Sequence, residues 1–115
     1  MQENDCRLTV RQKYIEKAVK YIENNLQYPI TVNDVAVHVG LNRSYFYSLF
    51  KQEVGMSVQE FLIETRMKTA CRFLCQKDVQ IKTVAASVGY EPIPFAHVFK
   101  KKIKMSPTEY RDSHR

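Results

Sequence analysis

The sequence predicts an all-α protein of about seven helices, built as two small lobes joined by a long central helix. Apolar residues recur at helical spacing through most of the chain, and no stretch alternates with the period of a strand. Residue pairs at capping-box spacing mark helix starts: Thr9 with Gln12, Thr31 with Asp34, Ser57 with Glu60, and Ser106 with Glu109. One segment also occurs twice. Asp34-Val35-Ala36-Val37-His38-Val39-Gly40-Leu41 aligns with Thr83-Val84-Ala85-Ala86-Ser87-Val88-Gly89-Tyr90 at an offset of 83 − 34 = 49. Without a gap the same offset pairs Phe46 with Phe95, Phe50 with Phe99, Glu60 with Glu109 and Phe61 with Tyr110, the mark of an internal repeat.

In chain order, residues 1–8 read as a frayed end or linker remnant. Thr9 caps a first helix to about Leu26, with Tyr14, Ile15, Ala18, Tyr21 and Ile22 on one face, and Tyr28-Pro29 ends it. Thr31 starts a short second helix through Val39, and Gly40 takes the left-handed conformation that stops it. Asn42 caps a third helix from Arg43 to about Glu53, and Gly55 interrupts. The central helix follows over 57–76. Its first apolar stripe is Ile63, Met67, Ala70, Cys71 and Leu74, and a second line runs through Leu62, Thr69 and Phe73. At about 20 residues it would span about 30 Å. Asp78 to Ile81 open a fifth helix to Val88, Gly89 makes the turn, and Pro92 and Pro94 fall in the first turn of the sixth. Ser106 opens the last. The expected organisation is a first lobe over 9–56, the connecting helix over 57–76, a second lobe over 77–112 and a tail over 113–115.

Composition narrows the partners. The formal net charge of +6 and a pI near 9.3 favour a polyanion. No apolar run is long enough to cross a membrane, and the polar, acidic start Met1-Gln2-Glu3-Asn4-Asp5 predicts no signal peptide. Three cysteines in a chain of ordinary core composition point to a reducing, cytoplasmic setting. Cys71 and Cys75 stand four apart on a helix, yet no histidine or third cysteine nearby in sequence completes a metal shell, so Cys71 reads as a small core residue. No phosphate loop or nucleophile motif is present; the sequence predicts no cofactor, no metal and no enzyme.

Each repeat carries the stereochemistry of a helix-turn-helix. Ala36 permits close crossing, Gly40 supplies the turn, and Val35, Val39, Leu41, Phe46 and Leu49 lock the pair. Ala85, Gly89, Val84, Val88, Tyr90, Phe95 and Val98 stand at the same spacings in the second. Arg66-Met67…Ala70…Phe73-Leu74 and Val84-Ala85…Val88-Gly89-Tyr90…Phe99-Lys100-Lys101…Ser106-Pro107-Thr108-Glu109-Tyr110-Arg111 complete a pattern that resembles the DNA-binding domain of the AraC/XylS family of bacterial transcription regulators, over roughly residues 10–112.

That resemblance implies seven helices in two helix-turn-helix lobes, with each domain meeting two successive major grooves of promoter DNA. A rod of about 30 Å suits the groove repeat of about 34 Å. It further implies transcription regulation, activation included, RNA polymerase as a candidate partner, and a longer chain with an N-terminal effector, dimerisation or receiver domain. The sequence departs from the family at Gly89-Tyr90-Glu91-Pro92-Ile93-Pro94-Phe95, which is short and carries two prolines. It departs again at Ser48 and His97, where arginine is common, and at Lys104, where glycine is usual.

The residues expected at DNA are those on the unburied side of each reading helix. In the first lobe these are Arg43, Ser44, Tyr47, Ser48 and Lys51, with Asn42 at the mouth. Arg43 reads guanine or holds phosphate, Tyr47 and the serines hydrogen-bond bases or backbone, and Lys51 meets phosphate. In the second lobe Ile93 and Ala96 contact thymine methyls, His97 a base edge or phosphate, and Lys100 points outward beside them. The competing reading is a helical protein-interaction module that has lost specific DNA binding. A third is non-specific RNA or architectural binding.

Overall fold

The computed structural model describes residues 9–76 and 78–114; the segment 1–8, expected to be a frayed end or linker, lies outside the described residues. Among these residues seven helices form and no strand: α1 (Val10–Asn24), α2 (Val32–Val39), α3 (Arg43–Val54), α4 (Val58–Leu74), α5 (Ile81–Ser87), α6 (Pro92–Ile103) and α7 (Pro107–Ser113). They fall into two compact units. The first takes the described residues to Asn25 together with Ile30–Leu62. The second takes Leu26–Pro29 and the described residues from Ile63 onward, so the division falls inside α4, after its first turn.

All four expected capping boxes form. Thr9 and Gln12, Thr31 and Asp34, and Ser106 and Glu109 each exchange both bonds. The Ser57 amide donates to Glu60 Oε1 at 2.9 Å while the Glu60 amide donates to Ser57 Oγ at 3.1 Å. Each box satisfies two amides that a helix start leaves without carbonyl partners, typically worth about 1 kcal/mol.

Three boundaries differ from the expectation, each for a local reason. The central helix is 17 residues, about 25 Å at the usual rise rather than about 30 Å. Its end tightens, because the Cys75 and Gln76 amides donate to Arg72 and Phe73, three residues back. Helix α1 stops at Asn24, where the Asn25 side chain turns back onto the Tyr21 carbonyl at 2.8 Å. Helix α5 begins at Ile81; Asp78, expected to open it, sits in a left-handed turn at φ 66° instead.

In the first unit, Ala18 and Ile22 of α1, Val35, Ala36 and Val39 of α2, and Phe46, Leu49 and Phe50 of α3 are buried together. The Phe50 ring stands edge-on between Phe46 and Phe61, at centroid distances of 5.8 and 5.4 Å. In the second unit the core is Met67, Ala70 and Leu74 of α4, Val84, Ala85 and Val88, and Phe95 and Phe99 of α6. There Phe99 lies 5.5 Å from Phe95 and 5.7 Å from Tyr110. The sequence repeat is therefore a repeat of packing, ring for ring.

It is also a repeat of backbone. The Leu41 amide donates to the Ala36 carbonyl at 3.0 Å and the Tyr90 amide to Ala85 at 2.9 Å, while Gly40 and Gly89 donate to Val37 and Ala86, each at 3.1 Å. This paired pattern closes a helix through a left-handed residue, and the two glycines have φ 84° and 87°. The interhelix turn of each helix-turn-helix is thus set by the same glycine geometry.

Two buried or half-buried arginines hold the second unit. Arg66 on α4, 8% exposed, donates from Nη2 to the Tyr28 carbonyl at 2.7 Å. Arg111 on α7 donates from Nε to the Leu74 carbonyl at 3.0 Å and from Nη2 to the Val79 carbonyl, tying down the chain between α4 and α5. Both guanidiniums are thus committed to main-chain carbonyls of this unit.

Candidate nucleic-acid interface

The burial of Phe46, Leu49 and Phe50 fixes how α3 is turned about its axis. Its opposite face carries Arg43, Ser44, Tyr47, Ser48 and Lys51, all exposed, with Asn42 exposed at the start. Asn42 has a structural task there: its Oδ1 accepts from the Tyr45 amide at 2.8 Å and caps the helix. That commits the oxygen and leaves its amide group as the end free to donate.

Four of these side chains come together. Arg43, Ser44, Tyr47 and Ser48 line one wall of an open cleft of about 440 Å³, and Gln59 from the first turn of α4 lines the other. Asn42 and Lys51 are outside this lining. Sequence reasoning missed Gln59, since it lies on a different helix; it also passed over Tyr45, which is 51% exposed beside the same helix start.

In the second unit, Phe95 and Phe99 face inward and Ile93, His97 and Lys100 outward. Among the described residues Ile93 is the most exposed large apolar side chain, at 72%, whereas Ala96 is half-buried. The start of α6 differs from that of α3. Glu91 stands where the first lobe has Asn42, makes no side-chain cap bond, and is followed by Pro92, whose missing N–H costs nothing in a first turn. A carboxylate here suits the helix dipole but would repel an approaching phosphate. Lys100, Lys101 and Lys102 crowd the last turn of α6, where cations also favour the helix end.

Two titrating groups depart clearly from their ordinary values beneath this helix. Burial, followed by contact with the cysteines, pushes the Tyr110 phenol up to about 12. Burial likewise raises the Cys71 thiol, against a lowering by its hydrogen bond with Tyr110. Cys71 is half-buried in the packing of the second unit, whereas Cys75 is exposed. Among the described residues no cluster of three or more metal-ligating side chains exists, and no helix is long and apolar enough to cross a membrane.

Comparison with known proteins places this geometry. A family profile described as a helix-turn-helix domain matches residues 35–113. The chain is 40% identical over 98 residues to the lactose operon transcription activator of Staphylococcus xylosus, covering 84% of this chain and 35% of that protein. It is 29% identical over 99 residues to the Msm operon regulatory protein of Streptococcus mutans, covering 85% and 36%. The chain thus spans about a third of the length of these curated relatives. Among solved structures it superposes with a TM-score of 0.85 and 29% identity on the C-terminal domain of AraT, a response regulator from Geobacillus stearothermophilus, covering 93% of this chain and 88% of that one. Two glycine-turned helix pairs, a shared core pattern and these matches lead to one assignment: the chain belongs to the AraC/XylS family of transcription regulators, as a helix-turn-helix DNA-binding domain of that type.

Proposed function

We propose that this domain binds double-stranded promoter DNA sequence-specifically, with α3 and α6 as reading helices in successive major grooves and α4 as the helix that connects the two lobes. The observation that carries this reading is the outward face of α3. In a domain of this family it gathers a guanidinium, two hydroxyls and a phenol into one cleft free of acidic side chains. Arg43 offers a fork matched to guanine or phosphate, Ser44, Tyr47 and Ser48 supply shorter-range donors, Asn42 its free amide, and Lys51 a phosphate contact. From α6, Ile93 and the half-buried Ala96 supply apolar contacts to thymine methyls, His97 a base or phosphate contact, and Lys100 charge.

The first lobe supplies most of the base reading. Its helix start is capped by a neutral amide, whereas the second presents the Glu91 carboxylate. The domain works in the cytoplasm beside an effector, dimerisation or receiver domain, with RNA polymerase as the downstream partner.

Fluorescence anisotropy of the chain against promoter DNA from its own operon, with scrambled duplex as control and at several salt concentrations, tests this. Tight binding confined to the promoter is expected, with log K falling by roughly 0.9 per phosphate contact for each decade of salt. Arg43→Ala should weaken promoter binding by roughly tenfold or more. No binding to either duplex at low salt would replace this reading with the protein-interaction module.

A further inference from the structure

The cleft beside α3 is walled on its second side by a helix that the reading above uses only as a connector. Gln59 lies on the first turn of α4, held there by the Ser57–Glu60 box, and faces Arg43, Ser44, Tyr47 and Ser48 across the cleft. An adjoining cleft of about 420 Å³ runs toward the start of α2, past Thr31 and Asn33, and Arg43 and Gln59 line both. These two side chains therefore stand at the junction of the clefts. Both are exposed, and neither is committed to a hydrogen bond among the described residues.

The lining chemistry is one-sided. Every polar side chain around the first cleft can donate a hydrogen bond, one carries a fixed positive charge, and none is acidic. A concave site of donors without an acid suits the anionic oxygens of a backbone phosphate; phosphates and sugars take up roughly half or more of the hydrogen bonds a DNA-binding protein makes. The nearest such phosphates for a helix lying in the major groove are those of the DNA strand at the groove rim.

We infer that Gln59 is a DNA-contacting residue: its carboxamide and the Arg43 guanidinium together hold one backbone phosphate where that strand passes between α3 and α4. This rests on α3 being a reading helix, and adds to it a sequence-independent clamp from a second element. Phosphate contacts fix register and orientation on the duplex, so the clamp would set how deeply α3 enters the groove.

The test uses Gln59→Ala and Gln59→Glu in the whole chain, titrated against promoter and scrambled duplexes over a salt series, with circular dichroism melting to confirm folding at this exposed position. Gln59→Ala should weaken binding to both duplexes by a similar factor, roughly fivefold, and leave the salt slope unchanged, because a neutral amide displaces no counterion. Gln59→Glu should weaken both further through charge repulsion. Unchanged affinity in both variants would overturn the assignment. A loss confined to the promoter would overturn it too, since Gln59 would then be reading a base. If the unmutated chain bound neither duplex, the failure would belong to the underlying DNA reading and would remove the clamp with it.

Discussion

Arg66 donates to the carbonyl of Tyr28 across 38 residues of chain, with its guanidinium carbon 5.7 Å from the centroid of the Tyr90 ring. Its Nε is buried and makes no hydrogen bond among the described residues, so the contacts that hold the side chain are one charge-assisted bond and the approach to the Tyr90 ring. Arg66→Ala should cost about 2–4 kcal/mol, by stripping the Tyr28 carbonyl of its donor and leaving a void. Arg66→Lys keeps the charge but not the planar face, and should recover only part of that. Urea unfolding followed by circular dichroism measures both; a lysine variant as stable as the unmutated chain would show that only the charge matters.

The two turn glycines should respond unequally to alanine. Both have left-handed φ, so each substitution carries about 1–2 kcal/mol of backbone strain. A Cβ on Gly40 meets nothing within 4 Å, but one on Gly89 would fall 2.5 Å from the Leu26 carbonyl oxygen and 3.2 Å from Arg66 Nη2. Gly89→Ala must therefore displace backbone and should destabilise by at least about 1 kcal/mol more than Gly40→Ala. Equal unfolding midpoints would contradict the close approach.

Lys104 ends α6 at φ 75°, in the place that Gly55 occupies at φ 93° after α3. Lysine pays strain there that glycine does not. Lys104→Gly should raise stability by about 0.5–1 kcal/mol net, after subtracting the extra unfolded-state freedom of glycine. A thermal midpoint that falls instead would mean that Lys104 makes a compensating interaction.

Acid should loosen the start of α7 through Glu109. Hydrogen bonds from Ser106, its backbone N–H foremost, hold the Glu109 carboxylate below its ordinary value of 4.5. A carboxylate depressed in the folded state contributes stability that is complete above the unfolded value and is lost as pH falls through the folded one. The unmutated chain should therefore lose stability more steeply than Glu109→Gln as pH drops from about 5 to about 3. Parallel pH profiles of the melting midpoint would remove this box from the acid response.

The fold was legible wherever its signal was local. Capping boxes join residues three apart, so Thr31 with Asp34 or Ser106 with Glu109 can be read without knowing what packs against them. The repeat doubled that information, since Gly40 vouched for Gly89, Phe46 for Phe95 and Phe50 for Phe99. The outward face of α3 followed from Phe46, Leu49 and Phe50 alone. What escaped depends on distant chain. Arg66 matches a family motif, but its acceptor lies in the stretch before α2; Gln59 gains meaning only from facing Arg43 across a cleft. The left-handed turn at Asp78 replaced an expected helix start because nothing local distinguishes an aspartate that caps from one that turns.

The second unit is assembled from two separated stretches of chain, Leu26–Pro29 and the residues after Leu62. A chimera that exchanges lobes between relatives by a single splice inside α4 would therefore carry over the new Arg66 position and the Gly89 turn, but inherit the Tyr28 and Leu26 carbonyls from the other parent. Both carbonyls are main-chain groups that any parent supplies, so what the graft must carry is the packing that places them. Grafts that transplant Leu26–Pro29 along with the C-terminal portion should be more stable than single-splice grafts. For protein synthesis the same arrangement sets an order of assembly: these four residues emerge before α4 and must wait, without their partners, until Arg66 and then Gly89 have followed them out of the ribosome.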